Sequence, residues 1–401
     1  MSQASKRAII YVFSGTGNTF ITAEKAAKDL SEKGIQTDLY RVCTQDSDLY
    51  RSAFYRSDIN GNYIAECPAS LNLRSNNEPV LENAIYGCLL SQEFGIIPDP
   101  NSYDLAGFAY PIHAFNTPQI FLRFVKQLPV LNPDKTESLG FIFKTSGEPF
   151  KPNASSSYTL AHFLKKKGYI PCIDMHILMP YNIMFRYPDA MAKQMYLHME
   201  TLVSKLADKV SDSLANAEDI QKLRFNPLIT FMSFLFRIQW PAANLNGVLH
   251  KVKKSDCVGC GLCADHCPTG NIKMIDGMKH IPKIGSNCTM CMECTMICPK
   301  AAINPGFLTP WKVNPKWNFE KILNDEEIPS NRTDDPKAGY FKLFRKYFSE
   351  TDEDDQPDIT VDLYLDEPTF LEDTIIPELM DSPMDEDDDT ETVTYKEIPL
   401  H

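Results

Sequence analysis

Residues 7–19 read RAIIYVFSGTGNT, and this stretch is the main indication of the fold of the N-terminal part of the chain. The stretch RAIIYVF is apolar and rich in β-branched side chains, which predicts a buried strand. The apolar spacing from Thr19 to Lys33 then predicts a helix that stops at Gly34. A strand, a two-glycine turn and a helix leave backbone amides at the helix start, where the helix dipole favours an anion. The stretch therefore predicts a phosphate-binding loop in an α/β domain.

The predicted phosphate loop is built from glycines and hydroxyl side chains. Its residues are Ser14, Gly15, Thr16, Gly17, Asn18 and Thr19. The glycines let the backbone turn and approach a ligand closely, and the hydroxyls donate hydrogen bonds. The loop has no lysine and lacks the last glycine of a dinucleotide fingerprint, so neither common nucleotide motif fits. A merely tight strand-to-helix turn is the alternative.

The loop resembles the phosphate loop of flavodoxins, which implies that FMN is held by amides and hydroxyls without a countercharge. Two later loops strengthen the resemblance, because YPIHAFNTP follows the strand-like run LAGFAY (105–110) and SGEPFKPNASSS follows SLGFIFKT (138–145). In flavodoxin-like folds, loops at these places cover the flavin ring. The resemblance implies FMN contacts from Tyr110, Pro111, Ile112, His113, Ala114, Phe115, Asn116, Thr145, Ser146, Gly147 and Glu148.

Three of these residues are candidates for a more specific role. The loops lack the tryptophan that many flavodoxins stack on the ring, which leaves Tyr110, His113 and Phe115 as stacking candidates. His113 and Tyr110 are also the candidate catalytic proton donors, since an imidazole titrates near working pH. A role of His113 in shaping the loop is the alternative.

The order of predicted elements defines the fold class. A helix over 158–167, a strand over 169–178 and a long helix over 188–216 complete an alternating pattern. This predicts a flavodoxin-like doubly wound parallel α/β sheet, whose strand tips bring the three loops to one crevice. About sixty residues, 43–104, separate the second strand-like run QTDLYRV from the next, and this length predicts an inserted subdomain.

Eight of the twelve cysteines form two copies of the spacing C-x-x-C-x-x-C-x-x-x-C-P. Three thiolates two residues apart wrap one iron–sulfur cube, and the fourth cysteine, beyond a turn, binds the other cluster. The spacing predicts two 4Fe-4S clusters, the first held by Cys257, Cys260, Cys263 and Cys298, the second by Cys288, Cys291, Cys294 and Cys267. Residues 250–305 resemble bacterial dicluster ferredoxins, which implies a small α+β domain.

Zinc and disulfides explain this spacing less well. Zinc sites pair two C-x-x-C units and have no use for a third cysteine two residues later, and disulfide frameworks belong to small secreted chains. Cys43, Cys67, Cys88 and Cys172 lack metal spacing and are interpreted as free thiols. His266 lies beside Cys267, where the cysteine set is already complete, so we expect it outside the ligand set.

A flavodoxin-like domain followed by a dicluster ferredoxin resembles the bacterial EFR1-type flavodoxin-ferredoxin fusion family over residues 7–305. YPIHAFNTP and KTSGEPF look like loop patterns of that family. The resemblance implies flavin binding and transfer of single electrons between two 4Fe-4S clusters, FMN and a redox partner protein. The alternatives are an FMN-dependent reductase of a small organic substrate and a redox sensor or scaffold.

Composition divides the chain of 401 residues further. We expect a flavodoxin-like domain (1–217), a connecting helical segment (218–249), the ferredoxin domain (250–305), a C-terminal extension (306–349) and a disordered acidic tail (350–401). The tail has 20 acidic residues against Lys396, so that of the chain's net charge of −13 it carries −19 and leaves +6 for residues 1–349. It is interpreted as solubilising, or as a mask for the basic body.

Membrane and nucleic-acid partners are weakly indicated. No apolar stretch reaches the roughly 20 residues of a membrane span. The longest candidate, Leu228 to Trp240, carries Arg237 and is predicted as an interdomain helix, with contact at a bilayer surface as the alternative. The basic stretch His250 to Lys254 lacks interleaved aromatics, which disfavours nucleic acid and fits an acidic partner protein. Without a recognisable signal peptide, we expect a cytoplasmic protein.

Overall fold

The computed structural model describes residues 6–44, 54–57, 63–66, 88–91, 94–132, 138–215, 223, 227–275 and 280–350. Cys67, most of the expected insertion and the acidic tail from residue 351 onward lie outside the described residues.

Five of the described strands have seven to ten residues, and the others have four or fewer. They are β1 (Lys6–Val12), β2 (Ile35–Arg41), β3 (Phe54–Ser57), β4 (Tyr63–Glu66), β5 (Cys88–Ser91), β6 (Gly95–Pro98), β7 (Leu105–Pro111), β8 (Ser138–Ser146), β9 (Tyr169–Leu178), β10 (Lys251–Val252), β11 (Ile272–Ile275), β12 (Ile281–Ile284) and β13 (Ile303–Asn304).

The helices follow the same chain order. They are α1 (Asn18–Glu32), α2 (Gln119–Gln127), α3 (Tyr158–Lys166), α4 (Asp189–Ala215), α5 (Pro227–Leu235), α6 (Gln239–Val248), α7 (Leu262–Asp265), α8 (Glu293–Met296), α9 (Phe319–Asn324) and α10 (Arg345–Glu350). Short 3₁₀ helices cover Pro100–Ser102, Lys151–Ser157, Phe236–Ile238, Gly306–Trp311, Arg332–Asp334 and Gly339–Phe344.

The central sheet has seven strands in the order β4-β3-β2-β1-β7-β8-β9. Strands β2, β1, β7, β8 and β9 are parallel neighbours, which is the flavodoxin-like doubly wound order and confirms the predicted fold class. Strands β3 and β4 add antiparallel pairs beside β2, and β5 and β6 form a separate hairpin. The strand order reverses between β1 and β7, so the loops after these two strands open the crevice where such sheets bind ligands.

The sheet is buried by helices on both faces. Residues 8–12 of β1 have no exposed surface, as expected for a parallel strand covered on two sides. Helix α1 packs on the sheet through small side chains, Ala23, Ala26 and Ala27, which let the helix approach closely. This packing fixes where α1 begins, and hence the position of the loop between β1 and α1.

The predicted interdomain helix over 228–240 is observed as α5, a 3₁₀ turn and α6. The backbone oxygen of Ser233 accepts a 2.6 Å hydrogen bond from the Asn116 amide, and the Gln239 amide donates to the His113 oxygen at 2.5 Å. At the other end, the Asn246 amide donates to the Pro305 oxygen at 3.2 Å. The segment thus contacts both the sheet domain and the cysteine-rich part.

The cysteine-rich part is small and two-fold in construction. Strands β10 and β13 pair antiparallel, as do β11 and β12, and the short helices α7 and α8 each follow the second cysteine of a run. The extension after residue 305 packs on α4 and on Met296 through Trp317, Phe341 and Phe344. Within the described ranges, the structure has no helix that is both long and apolar enough for a membrane span.

Candidate functional site

A cavity of about 400 Å³ opens at the carboxyl ends of β1, β7 and β8. Predicted residues from all three loops line this one cavity, at the place where doubly wound sheets bind ligands. These residues are Ser14, Gly15, Thr16, Asn18, Thr19, Pro111, Ile112, His113, Ala114, Phe115, Thr145, Ser146 and Gly147.

The loop before α1 presents backbone donors to this cavity. Helix α1 begins at Asn18, directly after Gly17, whose φ of 98° lies in the left-handed region that favours glycine. No side chain caps the helix start and its first turn has no acidic residue. The free amide groups and the helix dipole therefore suit an anion. The hydroxyls of Thr19 and Thr145 are 2.7 Å apart and join the loop to β8.

Four predicted contact residues do not line the cavity: Gly17, Tyr110, Asn116 and Glu148. Gly17 shapes the turn through its backbone. Tyr110 is fully buried, with its hydroxyl 3.3 Å from Ser156 Oγ, so its interpretation as a stacking residue or proton donor is wrong for this geometry. The Asn116 amide donates to the oxygens of Ala114 and Ser233 instead.

Glu148 has a structural role in this arrangement. Its side chain is buried and its carboxylate accepts a hydrogen bond from the hydroxyl of Tyr340, in the C-terminal extension. The backbone oxygen of Glu148 accepts from the Asn153 amide at 2.9 Å. The residue thus holds the loop after β8 from behind, while Gly147 faces the cavity.

His113 faces the cavity as a neutral side chain. Its Nε2 atom is buried and has no hydrogen-bond partner among the described residues. Burial lowers the pKa of His113 to about 4, so the imidazole is uncharged at neutral pH and the expectation that it titrates near working pH does not hold. A ligand in the cavity therefore meets an uncharged imidazole ring, whose Nε2 atom is itself buried.

Sequence reasoning missed the cavity residues that come from other parts of the chain. They are Met179, Pro180, Tyr181, Asn182, Ile183, Met184, Phe236, Gln239, Met290, Cys291 and Leu308, whereas Phe150 and Asn153 belong to the predicted loop after β8. The Tyr181 ring lies so close to Gly147 that a Cβ there would come within 2.1 Å of it. The segment after β9 therefore adds a further aromatic ring to the cavity wall, and no local sequence motif predicts it.

Two further small cavities are lined by the two predicted cysteine sets. Cys257, Cys260, Cys263 and Cys298 surround one, and Cys267, Cys288, Cys291 and Cys294 surround the other. Burial, reinforced by neighbouring cysteines, raises the pKa of Cys263 to about 12 and that of Cys288 to about 11. Four thiolates are therefore stable together in either cavity only beside a strongly cationic group.

The spacing of these thiols differs from that of a single-ion site. In the described part of the chain, no group of three or more His, Cys, Asp or Glu residues is arranged to hold a metal ion. The four cysteines around a cubane each bind a different iron atom, so they stand farther apart than the ligands of one zinc ion. The lining of the two cavities and the lack of a compact ion site are therefore compatible.

The second cysteine cavity and the large cavity share a wall. Cys291 lines both of them. A Cβ added to Gly15 would lie 2.4 Å from the Cys291 Cβ, so the phosphate loop touches the cysteine loop directly. The Asn182 amide donates to the Cys291 oxygen at 3.1 Å, and the Thr44 N–H donates to the Pro268 oxygen at 2.9 Å. Only a glycine allows this approach at position 15.

The cysteine sets also form a graded series in exposure. Cys260 of the first set is exposed, whereas Cys291 of the second is buried against the sheet domain. Cys294 of the second set packs against the hydrophobic cluster that contains Cys263 of the first, which places the two sets side by side. The three sites are therefore adjacent in the order first set, second set, large cavity.

The comparisons with known proteins agree with the cysteine geometry. Residues 250–299 match the family described as 4Fe-4S dicluster domain, which supports iron–sulfur clusters in this part of the chain. A search of curated protein sequences finds no match.

Solved structures with a similar chain trace are distant. One is a flavone reductase, with 10% identity over 54% of this chain and 66% of that chain and a TM-score of 0.30. Another is rubredoxin oxygen:oxidoreductase from the anaerobe Desulfovibrio gigas, with 14% identity over 53% of this chain and 38% of that chain and a TM-score of 0.27. A third is a putative flavoprotein from Bacteroides uniformis ATCC 8492, with 19% identity over 44% of this chain and 92% of that chain and a TM-score of 0.24. At these scores the likenesses carry no argument, and the strand order establishes the fold by itself.

Proposed function

We propose that the chain is an electron-transfer flavo-iron–sulfur protein, in which two 4Fe-4S clusters pass single electrons between FMN and a redox partner protein. The observation that carries the proposal is the position of Cys291, which lines both the second cysteine cavity and the large cavity. A cluster held by this cysteine would be separated from a ligand of the large cavity by little more than one side chain. The two sites are therefore suited to direct exchange.

The large cavity fits FMN in the chemistry of its wall. The amides at the start of α1 and the hydroxyls of Ser14, Thr16 and Thr19 suit a phosphate group without a cation. Tyr181 and Phe115 offer aromatic surface for a flat ring. Bound flavin would supply redox chemistry in steps of one or two electrons; the protein supplies position and hydrogen bonds.

The exposed face of the first cysteine set is the proposed entry point for the partner protein. Cys260 and its neighbour Val258 are exposed there, close in sequence to the exposed Lys253. Lys253 pairs with Asp256 at 2.7 Å, and the charge that would steer an acidic electron carrier comes from the neighbouring exposed lysines, Lys251 and Lys254. Membership of the EFR1-type fusion family, on the loop motifs quoted above, is part of this proposal.

A second candidate function rests on the mouth of the large cavity. Phe115, Phe150, Met184, Phe236 and Leu308 make this mouth apolar, which suits a small apolar organic substrate above the flavin. In such a reductase, the neutral His113 side chain would form part of the cavity wall that contacts the substrate.

The electron route is tested by removing one cluster ligand that does not touch the large cavity. The variant Cys294→Ala should retain FMN and about four of the eight iron atoms of two 4Fe-4S clusters. Flavin reduction by a reduced bacterial ferredoxin should then fall to background, because the second set lies between the first set and the cavity. The measurement is anaerobic stopped-flow absorbance, with iron, sulfide and flavin quantified per chain.

The matched control is Cys172→Ala, a partly buried cysteine on β9 outside both sets. It should keep full cluster content and the wild-type rate. Fast flavin reduction in Cys294→Ala despite loss of a cluster, or wild-type protein that contains no flavin after anaerobic isolation, would contradict the proposal. Saturable turnover of an apolar small molecule would favour the reductase.

A further inference from the structure

In α5 and the 3₁₀ turn after it, polar side chains are buried and apolar side chains are exposed to solvent. Thr230, Ser233 and Arg237 are buried, whereas Leu228 is 71% exposed and Ile238 is 75% exposed. Every exposed residue between positions 227 and 238 is apolar. A helix on a water-facing surface has the opposite arrangement, with polar side chains outward and apolar ones against the core.

Hydrogen bonds on the inner side fix this orientation. The Arg237 guanidinium donates to the Thr159 hydroxyl and to Asn116 Oδ1, the latter at 3.4 Å. The Ser233 hydroxyl donates to the Pro152 oxygen at 3.4 Å, and its backbone oxygen accepts from Asn116. Rotating the helix to hide its apolar side would break these bonds and leave the guanidinium without partners. The apolar side is therefore held outward.

The outward side chains form a continuous feature that we name the apolar patch. Its members on the helices are Leu228, Phe231, Met232, Leu235, Phe236, Ile238, Leu245 and Val248. Phe236 also lines the large cavity, where the exposed Phe150 and Met184 continue the apolar surface. Eight exposed apolar side chains between positions 228 and 248 mark a surface that another apolar phase covers.

We propose that the apolar patch docks into the surface of a bilayer with anionic headgroups. The exposed lysines Lys251, Lys253 and Lys254 follow α6 directly and would face the phosphates at the edge of such a contact. Apolar side chains inserted below the headgroups, with basic residues beside them, are the pattern of helices that lie in a membrane interface.

The chemistry of the patch favours lipid over a protein partner. Protein interfaces mix apolar contacts with about one hydrogen bond per 100–200 Å², which needs polar groups on both sides. The outward positions from 227 to 238 offer no polar side chain for such bonds, whereas an acyl-chain region requires none. Because Phe236 belongs to both features, docking would place the mouth of the large cavity at the bilayer surface.

The test is flotation of the full-length holoprotein with vesicles of phosphatidylcholine containing phosphatidylglycerol. The double variant Leu228→Glu, Leu235→Glu should lower the bound fraction about tenfold or more, since two inserted side chains become charged. The matched control, Val130→Glu with Leu343→Glu, changes two equally exposed apolar residues (61% and 69%) elsewhere and should bind like wild type. Changing Lys251, Lys253 and Lys254 to Gln should weaken binding to these vesicles but not to pure phosphatidylcholine.

Three results would overturn the proposal. The first is a wild-type protein that floats with neither kind of vesicle, and the second is a Leu228→Glu, Leu235→Glu variant that binds as wild type does. The third is a dimer in sedimentation velocity that this variant dissociates, which would assign the patch to a second copy of the chain. Cluster and flavin content, measured on each protein, separate these results from failure of the electron-transfer proposal, on which the patch does not depend.

Discussion

At the scale of single residues, the turn at Gly17 was predictable and the partners of the loop were not. Two glycines between an apolar strand and a helix indicate a tight turn, and the observed φ of 98° requires one of them. The contact between Asn182 and Cys291 joins residues 109 positions apart, and Gly15 meets the same cysteine through space. Such contacts depend on how whole elements pack, so no local spacing encodes them.

The turn at Gly17 also yields a prediction with an internal control at the other end of α1. Ala at position 17 costs roughly 1–2 kcal/mol of backbone strain at this φ and displaces the amides that face the cavity. Gly17→Ala should therefore lower FMN content about tenfold or more while the cluster absorbance remains. Gly34 has a similar φ of 80°, and an added Cβ meets nothing within 4 Å at either position.

Gly34→Ala should therefore carry the same strain yet keep its flavin, as measured by flavin released per chain on denaturation. Equal flavin loss in both variants would assign the effect to general destabilisation of α1, and undiminished flavin in Gly17→Ala would refute the phosphate loop.

At the scale of elements, apolar runs predicted the parallel strands to within one or two residues. The prediction for residues 169–178 coincides with β9, and that for 138–145 ends one residue before β8 does. Strands buried on both faces need a continuous apolar sequence, so they can be recognised from the sequence alone. Strands β3 and β4 were not predicted, because their four-residue lengths give too little periodicity and their pairing with β2 is non-local.

The middle of the sheet gives a prediction about packing. Gly107 lies in β7, where an added Cβ would be 2.5 Å from the Phe141 ring and 2.9 Å from Ile10 Cγ1. Gly107→Ala should destabilise the protein by about 1–3 kcal/mol through overpacking, although alanine suits a strand better than glycine. In Gly140→Ala, on the neighbouring β8, the nearest atom lies at 3.4 Å, so stability should be unchanged or slightly raised. Anaerobic thermal melts followed by circular dichroism would compare the two, and equal melting temperatures would contradict this account.

At the scale of the whole molecule, the C-terminal extension joins parts that the sequence presents as separate. No periodic pattern marks residues 306–349, yet their aromatic side chains pack with Tyr187 and Met191 near the start of α4 and with Met296 of the cysteine-rich part. Tyr347 donates a hydrogen bond to the His176 oxygen at 3.1 Å, and Tyr340 donates to Glu148 behind the cavity. The extension therefore supports both the large cavity and the cysteine-rich part, and no periodic pattern in its sequence predicts this.

This packing predicts that the two sites lose their cofactors together when the extension is weakened. Phe344 has no exposed surface, and Phe344→Ala should cost about 3–5 kcal/mol because it leaves a cavity between the extension and α4. Its neighbour Leu343 is 69% exposed, so Leu343→Ala should change stability by no more than about 0.5 kcal/mol. Flavin release and bleaching of cluster absorbance, recorded in one anaerobic melt, should shift downward by the same interval in Phe344→Ala and stay in place in Leu343→Ala. Both signals should shift because the loss of a shared core destabilises every part that packs on it. A shift of one signal alone would contradict this account and would mean that the extension supports only one site.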